Sequence, residues 1–172
     1  MSAVLAAAVF FSGCAGKGPQ AEEMTRTEGD TFTLADLSLT VESEEYRDSV
    51  APENPEGYFD YYEEYEGYHY CVLEGTVTNS AGAAVRADAF DVIGETDAGE
   101  EDARLLFMDE ESTAFLDTIG ANDERKFILF MLVEDGAEPE EFRIFYNEGY
   151  RTPEEGESCD YGVIKETELN GE

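Results

Sequence analysis

The chain is short of the residues that build the commonest reactive and phosphate-binding sites. Its 172 residues include one histidine, three cysteines, no tryptophan and only 10 Lys and Arg against 42 Asp and Glu. Proteins recognise phosphate groups mainly through Lys and Arg. Because the formal net charge is -32, nucleic acid is a poor partner, and direct electrostatic binding to anionic lipid is disfavoured. Neither a G-x-x-x-x-G-K-[ST] nor a G-x-G-x-x-G turn is present, which disfavours enzymes that use nucleotide cofactors.

Catalysis would have to recruit the single histidine, His69. A Ser-His-Asp triad lacks the G-x-S-x-G turn that exposes a nucleophilic serine, and one histidine with two paired cysteines cannot complete a tetrahedral zinc site. His69 and Cys71 share one face of a predicted strand, but side chains two residues apart on a strand rarely reach hydrogen-bond geometry. We therefore expect no catalytic activity and no required cofactor; a hydrolase with an unrecognised site is the remote alternative.

Long hydrophobic runs are also scarce, and the one that exists stands at the N-terminus. Residues 4–11 are apolar and uncharged, too few to span a bilayer, which needs about 20, but typical of the apolar region of a secretory signal. The run ends in Phe11-Ser12-Gly13-Cys14, the pattern of a lipoprotein cleavage site. We therefore predict a signal peptide at 1–13, a lipidated Cys14 and a flexible tether at 14–28.

Lipidation of Cys14 would hold the protein outside the cytoplasm on the bacterial cell membrane, because two acyl chains give stable anchoring where one does not. Two features depart from the usual pattern. Phe11 stands where leucine is common, and no Lys or Arg precedes the apolar run. The alternative is an ordinary N-terminal helix with a buried cysteine.

The two remaining cysteines, Cys71 and Cys159, form an even pair in a compartment that permits disulfides. A bridge between them would close a long loop, and the chain-entropy model predicts that it would stabilise the folded state by about 4 to 5 kcal/mol. We predict this disulfide; two separate buried thiols are the alternative.

Alternation of apolar and polar residues predicts a chain built of strands. Leu37, Leu39 and Val41 alternate with polar residues, as in a half-buried strand, and Phe32 and Leu34 alternate in the opposite register, which a bulge near Ala35-Asp36 would reconcile. Residues 126–133 are apolar on both faces, as in a covered central strand. Further strands are predicted at residues 68–79, 89–94, 104–108, 112–116, 141–146 and 161–165.

About seven short strands, separated by turn residues and with no long helical pattern, predict an all-β fold, an antiparallel β-sandwich. The content of 42% apolar and 12% aromatic residues excludes a disordered chain. We expect one domain at residues 29–165, followed by a polar tail at 166–172.

Residues 42–67 form an acidic, tyrosine-rich stretch that we interpret as a long loop or short helix crossing between sheets. Tyrosine is enriched at binding surfaces because it combines apolar area with a hydroxyl. Flanking carboxylates favour a basic ligand or an envelope protein as the partner, with cation–π contacts to the rings. The alternative is that the rings pack over the edge of the sandwich. The candidate partner-binding residues are Tyr58, Tyr61, Tyr62 and Tyr65.

A second acidic group surrounds Gly99 and offers oxygen ligands of the kind that calcium takes. Its spacing does not match an EF-hand loop, and in so acidic a chain such clusters also arise by chance. A calcium- or cation-dependent binding module is therefore the alternative function, and an ordinary solvated turn is the simpler interpretation. The candidate ligands are Asp97, Glu100, Glu101 and Asp102.

The order of these elements resembles a known family. The chain begins with a lipoprotein cleavage site, an acidic tether and an L-x-L-x-V strand. The next strand carries Tyr68-His69-Tyr70, Gly75, Val77 and Asn79. Further along, a turn at Gly120 leads into an apolar strand. This order resembles the immunoglobulin-like domains of uncharacterised bacterial surface lipoproteins, which are similar in fold to a secreted mycobacterial immunoprotective antigen. The resemblance covers residues 29–165 and implies an immunoglobulin-like sandwich with no established catalytic residues.

Overall fold

The computed structural model describes residues 22–25, 31–34, 36–146 and 161–165. β-Strand is the main secondary structure of these residues, and the one short helical turn among them is the 3-10 helix Ala87–Ala89. None of the described residues belongs to a helix that is long and apolar enough to cross a membrane. The strands are β1 (Glu22–Thr25), β2 (Thr31–Leu34), β3 (Leu37–Arg47), β4 (Tyr68–Asn79), β5 (Val85–Arg86), β6 (Phe90–Thr96), β7 (Gly99–Met108), β8 (Phe115–Leu116), β9 (Thr118–Ile119), β10 (Asp123–Glu134), β11 (Pro139–Tyr146) and β12 (Tyr161–Lys165).

The strands form two layers that share β7. Residues 99–102 of β7 pair with β6, whereas residues 103–107 pair with β10. One layer therefore runs β1-β12-β11-β6-β7, and the other runs β7-β10-β4-β3-β2, with β8 beside β7. Among the described strands, every pairing is antiparallel except that of β1 with β12, and β5 and β9 form a separate two-stranded sheet. The predicted all-β antiparallel sandwich is confirmed.

Alternating side chains fill the space between the layers. Leu39, Leu73, Phe127, Phe142 and Ile144 are fully buried there and belong to one continuous cluster, which we call the main core. Period-two alternation sends one face of each strand inward. The main core thus joins residues from both layers and explains why these strands stack.

A second cluster lies on the other face of the β4–β10 layer. It contains Val50, Tyr70, Val72, Ile128 and Phe130, all at most 3% exposed, and we call it the outer cluster. The central strand β10 contributes to both clusters, which confirms its predicted burial on two faces. Something must therefore cover the outer face of this layer, and that cover is the tyrosine-rich stretch.

The apolar alternation changes register between Leu34 and Leu37 because the chain forms a hairpin there. The predicted bulge near Ala35-Asp36 is therefore wrong. Strands β2 and β3 pair antiparallel with Leu34 opposite Leu37. Asp36 has φ 64°, a left-handed conformation that aspartate adopts more readily than most residues. The chain reverses there instead of continuing.

A real irregularity occurs further along β3, between Val41 and Ser43. Val41 lies opposite Gly75, where a Cβ atom would come within 1.9 Å of the Thr40 carbonyl oxygen. Only glycine leaves room for so close an approach of two backbones. This contact explains the glycine in the pattern of strand β4.

Three predicted boundaries also differ from the structure. Residues 22–25, predicted as part of the flexible tether, form β1 beside β12, because backbone pairing at a sheet edge does not require alternating apolar residues. The predicted acidic turn at 97–102 is mostly strand, since β7 begins at Gly99. The predicted strand at 112–116 is reduced to β8.

Candidate functional site: a tyrosine-rich acidic surface

The tyrosine-rich stretch joins two neighbouring strands of one layer. Strands β3 and β4 pair antiparallel from Leu37 opposite Asn79 to Arg47 opposite Tyr70. Residues 48–67 therefore leave the layer and return to it, so the expectation of a crossing between sheets is wrong. We call these residues the tyrosine loop.

Backbone and side-chain contacts fix the tyrosine loop on the outer face of its own layer. Val50 and Tyr62 exchange two backbone hydrogen bonds, at 3.1 and 2.8 Å. The Asn54 amide donates to the Ser112 carbonyl at 2.9 Å, and Lys126 Nζ lies 2.7 Å from a Glu53 carboxylate oxygen. Glu53 and Asn54 thus tie the loop to the sandwich, and the Val50–Tyr62 pair joins two parts of the loop to each other.

Two tyrosines pack where the loop meets the layer: Tyr62 from the loop and Tyr70 from strand β4. The Tyr62 ring meets the Phe130 ring edge-on at 4.7 Å and lies 6.4 Å from the Phe115 ring, with the Arg104 guanidinium 5.8 Å from its centroid. Tyr70 is 3% exposed, and its hydroxyl donates to the Glu63 carbonyl at 2.9 Å. Tyr62 therefore packs on the sandwich while staying partly exposed, and its predicted partner-binding role stays a prediction.

Three tyrosines of the same loop point to solvent. Tyr58 is 97% exposed, Tyr61 53% and Tyr65 54%; we call these three the exposed tyrosines. Among the described residues, the only other large apolar side chains with comparable exposure are Tyr46 and Tyr68. Exposed aromatic area is therefore concentrated in and beside this loop, and such concentration marks interaction surfaces.

The charge of the tyrosine loop is of one sign. Residues 48–67 include seven Asp and Glu and no Lys or Arg. The Tyr61 hydroxyl donates to a Glu63 carboxylate oxygen at 3.2 Å, and this hydrogen bond, together with the negative charge of Glu63, raises the pKa of Tyr61. The loop thus offers neutral rings framed by carboxylates, an arrangement that attracts cations.

A cleft lies beside the loop, at the end of the sandwich where β3 ends and β4 begins. It has a volume of about 520 Å³ and is lined by Tyr46, His69, Ala137, Glu138 and Pro139; we call it the end cleft. The rings of Tyr46 and His69 are edge-on at 5.1 Å. The cleft therefore combines two aromatic walls with an acidic residue from the β10–β11 turn.

The Cys-His pair considered from the sequence has other contacts in the structure. His69 Nδ1 lies 3.3 Å from an Asp135 carboxylate oxygen, and the Cys71 thiol donates to a Glu44 carboxylate oxygen at 3.6 Å. Cys71 is fully buried in the main core. Its predicted disulfide partner, Cys159, and the predicted lipidated Cys14 lie outside the described residues, so both assignments stay predictions.

The four predicted calcium ligands are not brought together. The Asp97 carboxylate accepts a hydrogen bond from the Glu138 amide at 2.9 Å, and Glu100 lies 2.9 Å from the Arg143 guanidinium. Alternation along β7 turns Glu101 to the face opposite Glu100 and Asp102. Over the described ranges, no three His, Cys, Asp or Glu side chains could hold a metal ion.

Sequence reasoning missed the end cleft because its residues are distant in the chain. Tyr46 is the next-to-last residue of β3, His69 is the second residue of β4, and Ala137 and Glu138 precede β11. Only the pairing of Tyr46 with Cys71 across β3 and β4 brings the Tyr46 ring near His69. The only sign of the cleft in the sequence was the aromatic character of residues 44–46 and 68–70, together with the two acids at 44 and 45.

Comparisons with known proteins support the sandwich. No family model matches the chain, and no curated protein is similar to it in sequence. An uncharacterised β-sandwich protein of Clostridium difficile is similar in structure, with a TM-score of 0.58 and 13% identity over 87% of this chain and 97% of that chain. At this identity the likeness shows the fold alone.

Two Bacillus subtilis proteins are more distantly similar in structure. The yjhA protein has a TM-score of 0.46 and 13% identity, covering 86% of this chain and 100% of its own. A candidate lipoprotein has a TM-score of 0.43 and 13% identity, covering 81% of this chain and 39% of its own.

Proposed function

We propose that this protein is a lipid-anchored, extracytoplasmic binding protein without catalytic activity. Its body would be an immunoglobulin-like sandwich of the bacterial surface lipoprotein type, and its partner a basic ligand or envelope protein. The observation that carries the proposal is the outward position of the exposed tyrosines on a loop that has seven acids and no base.

Attachment of the loop to the sandwich lowers the cost of binding. Ordering a free loop upon binding costs about 0.5–1.5 kcal/mol for each immobilised side chain. Here the Val50–Tyr62 backbone pair and the Tyr62–Phe130 packing already hold the backbone from which Tyr61 and Tyr65 project. A cation meeting these rings would gain attraction from the ring faces and the neighbouring carboxylates while ordering little of the protein.

Binding can be tested with a fluorescent oligoarginine peptide and its neutral oligocitrulline counterpart, measured by fluorescence polarisation. Changing Tyr58, Tyr61 and Tyr65 together to alanine should raise the dissociation constant of the arginine peptide about tenfold. Changing the same three to phenylalanine keeps the rings and the net charge, so it should preserve most of the affinity. Equal affinity of the alanine variant and the parent would remove the exposed tyrosines from the binding site.

The anchor can be tested independently of the partner. Expression of the full chain in a bacterium that processes lipoproteins should yield a mature polypeptide that begins at a diacylated Cys14, as read by mass spectrometry. A Cys14→Ser variant should lose the acyl mass and the membrane fraction. An unprocessed parent chain in the cytosol would contradict the proposed extracytoplasmic localisation.

A further inference from the structure

We propose that the end cleft holds the guanidinium group of an arginine side chain presented by the partner polypeptide. The proposal deepens the proposed function, since it assigns the cleft beside the tyrosine loop a specific part of a basic partner. The cleft's geometry, its acidic surroundings and its continuity with the tyrosine loop support it.

The shape of the end cleft suits a single flat, positively charged group. Its volume of about 520 Å³ lies within the ordinary range for small-ligand sites. Tyr46 and His69 supply aromatic walls, while Ala137 and Pro139 supply apolar ones. Arginine is favoured over lysine because its planar guanidinium is weakly hydrated and stacks on aromatic faces.

The acidic surroundings supply the charge complement. Residues 134–140 include four Asp and Glu and no Lys or Arg. Of these, Glu138 lines the cleft, and Asp135 contacts His69 at 3.3 Å. A guanidinium with its hydrogen-bond donors in a fork matches carboxylates better than a single ammonium does.

The backbone of the acidic wall is held in place before a ligand arrives. The Glu138 amide donates to the Asp97 carboxylate at 2.9 Å, and the Asp97 amide donates to the Glu138 carbonyl at 3.0 Å. Asp97, predicted from the sequence as a metal ligand, is thus a positioning residue for the cleft. Such fixed geometry lowers the ordering cost of binding.

The cleft is continuous with the tyrosine loop. The Asp135 amide donates to the Gly67 carbonyl at 2.9 Å, and the Tyr68 amide donates to the Tyr65 carbonyl at 3.1 Å. The β10–β11 turn that lines the cleft therefore touches the end of the loop that carries the exposed tyrosines. One extended basic segment could contact both.

The single histidine makes a direct test possible. The probe is an acetylated, amidated pentapeptide with arginine at its centre between glycines, and its control is the neutral citrulline peptide of equal shape. In NMR titrations, the arginine peptide should shift the imidazole resonances of His69 saturably, and the citrulline peptide should not. Absence of a shift at millimolar arginine peptide, or equal shifts with both peptides, would overturn the proposal.

Variants locate the contact. Glu138→Gln and Tyr46→Ala should each weaken binding of the arginine peptide about fivefold, whereas Tyr46→Phe, which keeps the ring, should bind like the parent. Glu140→Gln is the matched control, because it removes one charge at the start of β11, two residues after Glu138, without touching the cleft, and it should change affinity less than twofold. Equal losses for Glu138→Gln and Glu140→Gln would mean that only the general negative field attracts the peptide.

The two proposals fail in different ways. If the alanine variant of the exposed tyrosines loses oligoarginine binding while Glu138→Gln and Tyr46→Ala keep it, the loop binds and the cleft does not. If the reverse pattern appears, the cleft is a binding site and the loop is not. Unchanged thermal midpoints in all variants would show that the losses come from contacts and not from unfolding.

Discussion

The tyrosine loop and the strand after it contain two groups of tyrosines with opposite surroundings. Tyr62 and Tyr70 pack on Phe130 in the outer cluster, whereas Tyr58, Tyr61 and Tyr65 face solvent only a few residues away. The same residue type thus covers the sheet in one position and extends from it in the next. Packing of some rings therefore leaves other rings of the same loop exposed, and partner binding by the exposed rings stays a proposal.

Removing one ring from each group should have the largest effect on the difference between them. Tyr62→Ala should lower the free energy of unfolding by about 3 kcal/mol, because it opens a gap beside Phe130 and Phe115. Tyr58→Ala should change it by less than about 0.5 kcal/mol, since that ring is almost fully exposed. Urea unfolding of both variants, with the slope m checked for constancy, measures the difference.

A gentler change isolates the hydroxyl groups. Tyr70→Phe should cost about 1 kcal/mol, because the Tyr70 hydroxyl donates to the Glu63 carbonyl from a buried position. Tyr61→Phe loses a hydrogen bond to an exposed Glu63 carboxylate, which water replaces, so its stability should stay close to that of the parent. Urea unfolding measures both variants. An equal loss in the free energy of unfolding would show that the two hydroxyl groups contribute alike to stability.

Alkaline pH should destabilise the protein through the buried Tyr70. Burial raises the pKa of Tyr70, with added repulsion from Tyr65, Tyr62 and Glu63. The unfolded chain therefore releases the Tyr70 proton first, near pH about 10, and stability falls as pH rises through that point toward the folded pKa. Unfolding curves recorded on both sides of that pH should show a smaller fall for Tyr70→Phe than for the parent. A fall of the same size in both would assign the alkaline loss to other groups.

The main core was the most predictable part of the molecule. Leu37, Leu39 and Val41 alternate with polar residues in the sequence and are fully buried in the structure, since a strand with one covered face requires this pattern. The two-sided burial of β10 followed from its unbroken apolar run. The two-residue hairpin after Leu34 did not follow, because a turn and a bulge produce the same change of register in the sequence.

The candidate site was predictable only in composition. The sequence identified Tyr58, Tyr61, Tyr62 and Tyr65 as a group, but the stretch has neither helical nor strand periodicity that could tell which ring turns inward. Tyr62 turns inward because its backbone pairs with Val50, a contact set by the outer face of β4 and β10. The end cleft depends on pairings between distant strands, and no local pattern encodes it.

The smallest expected effect concerns calcium, the alternative function. Since Asp97 binds the Glu138 amide and Glu100 pairs with Arg143, we expect millimolar calcium to shift the thermal midpoint equally in the parent and in a Glu100→Gln, Asp102→Asn variant. A specific site would raise the midpoint of the parent alone, because a ligand that binds only the folded state stabilises it. Such a difference would support the alternative function, a cation-dependent binding module.

The most direct test of the account is thermal unfolding of the Tyr58, Tyr61 and Tyr65 alanine variant with and without oligoarginine peptide. Without peptide, its midpoint should equal that of the parent, because these rings contribute little to stability. With peptide, the parent should gain a higher midpoint and the variant should gain much less. A variant that melts early without peptide, or that keeps the full gain with it, would contradict the claim that these three rings serve binding and not the fold.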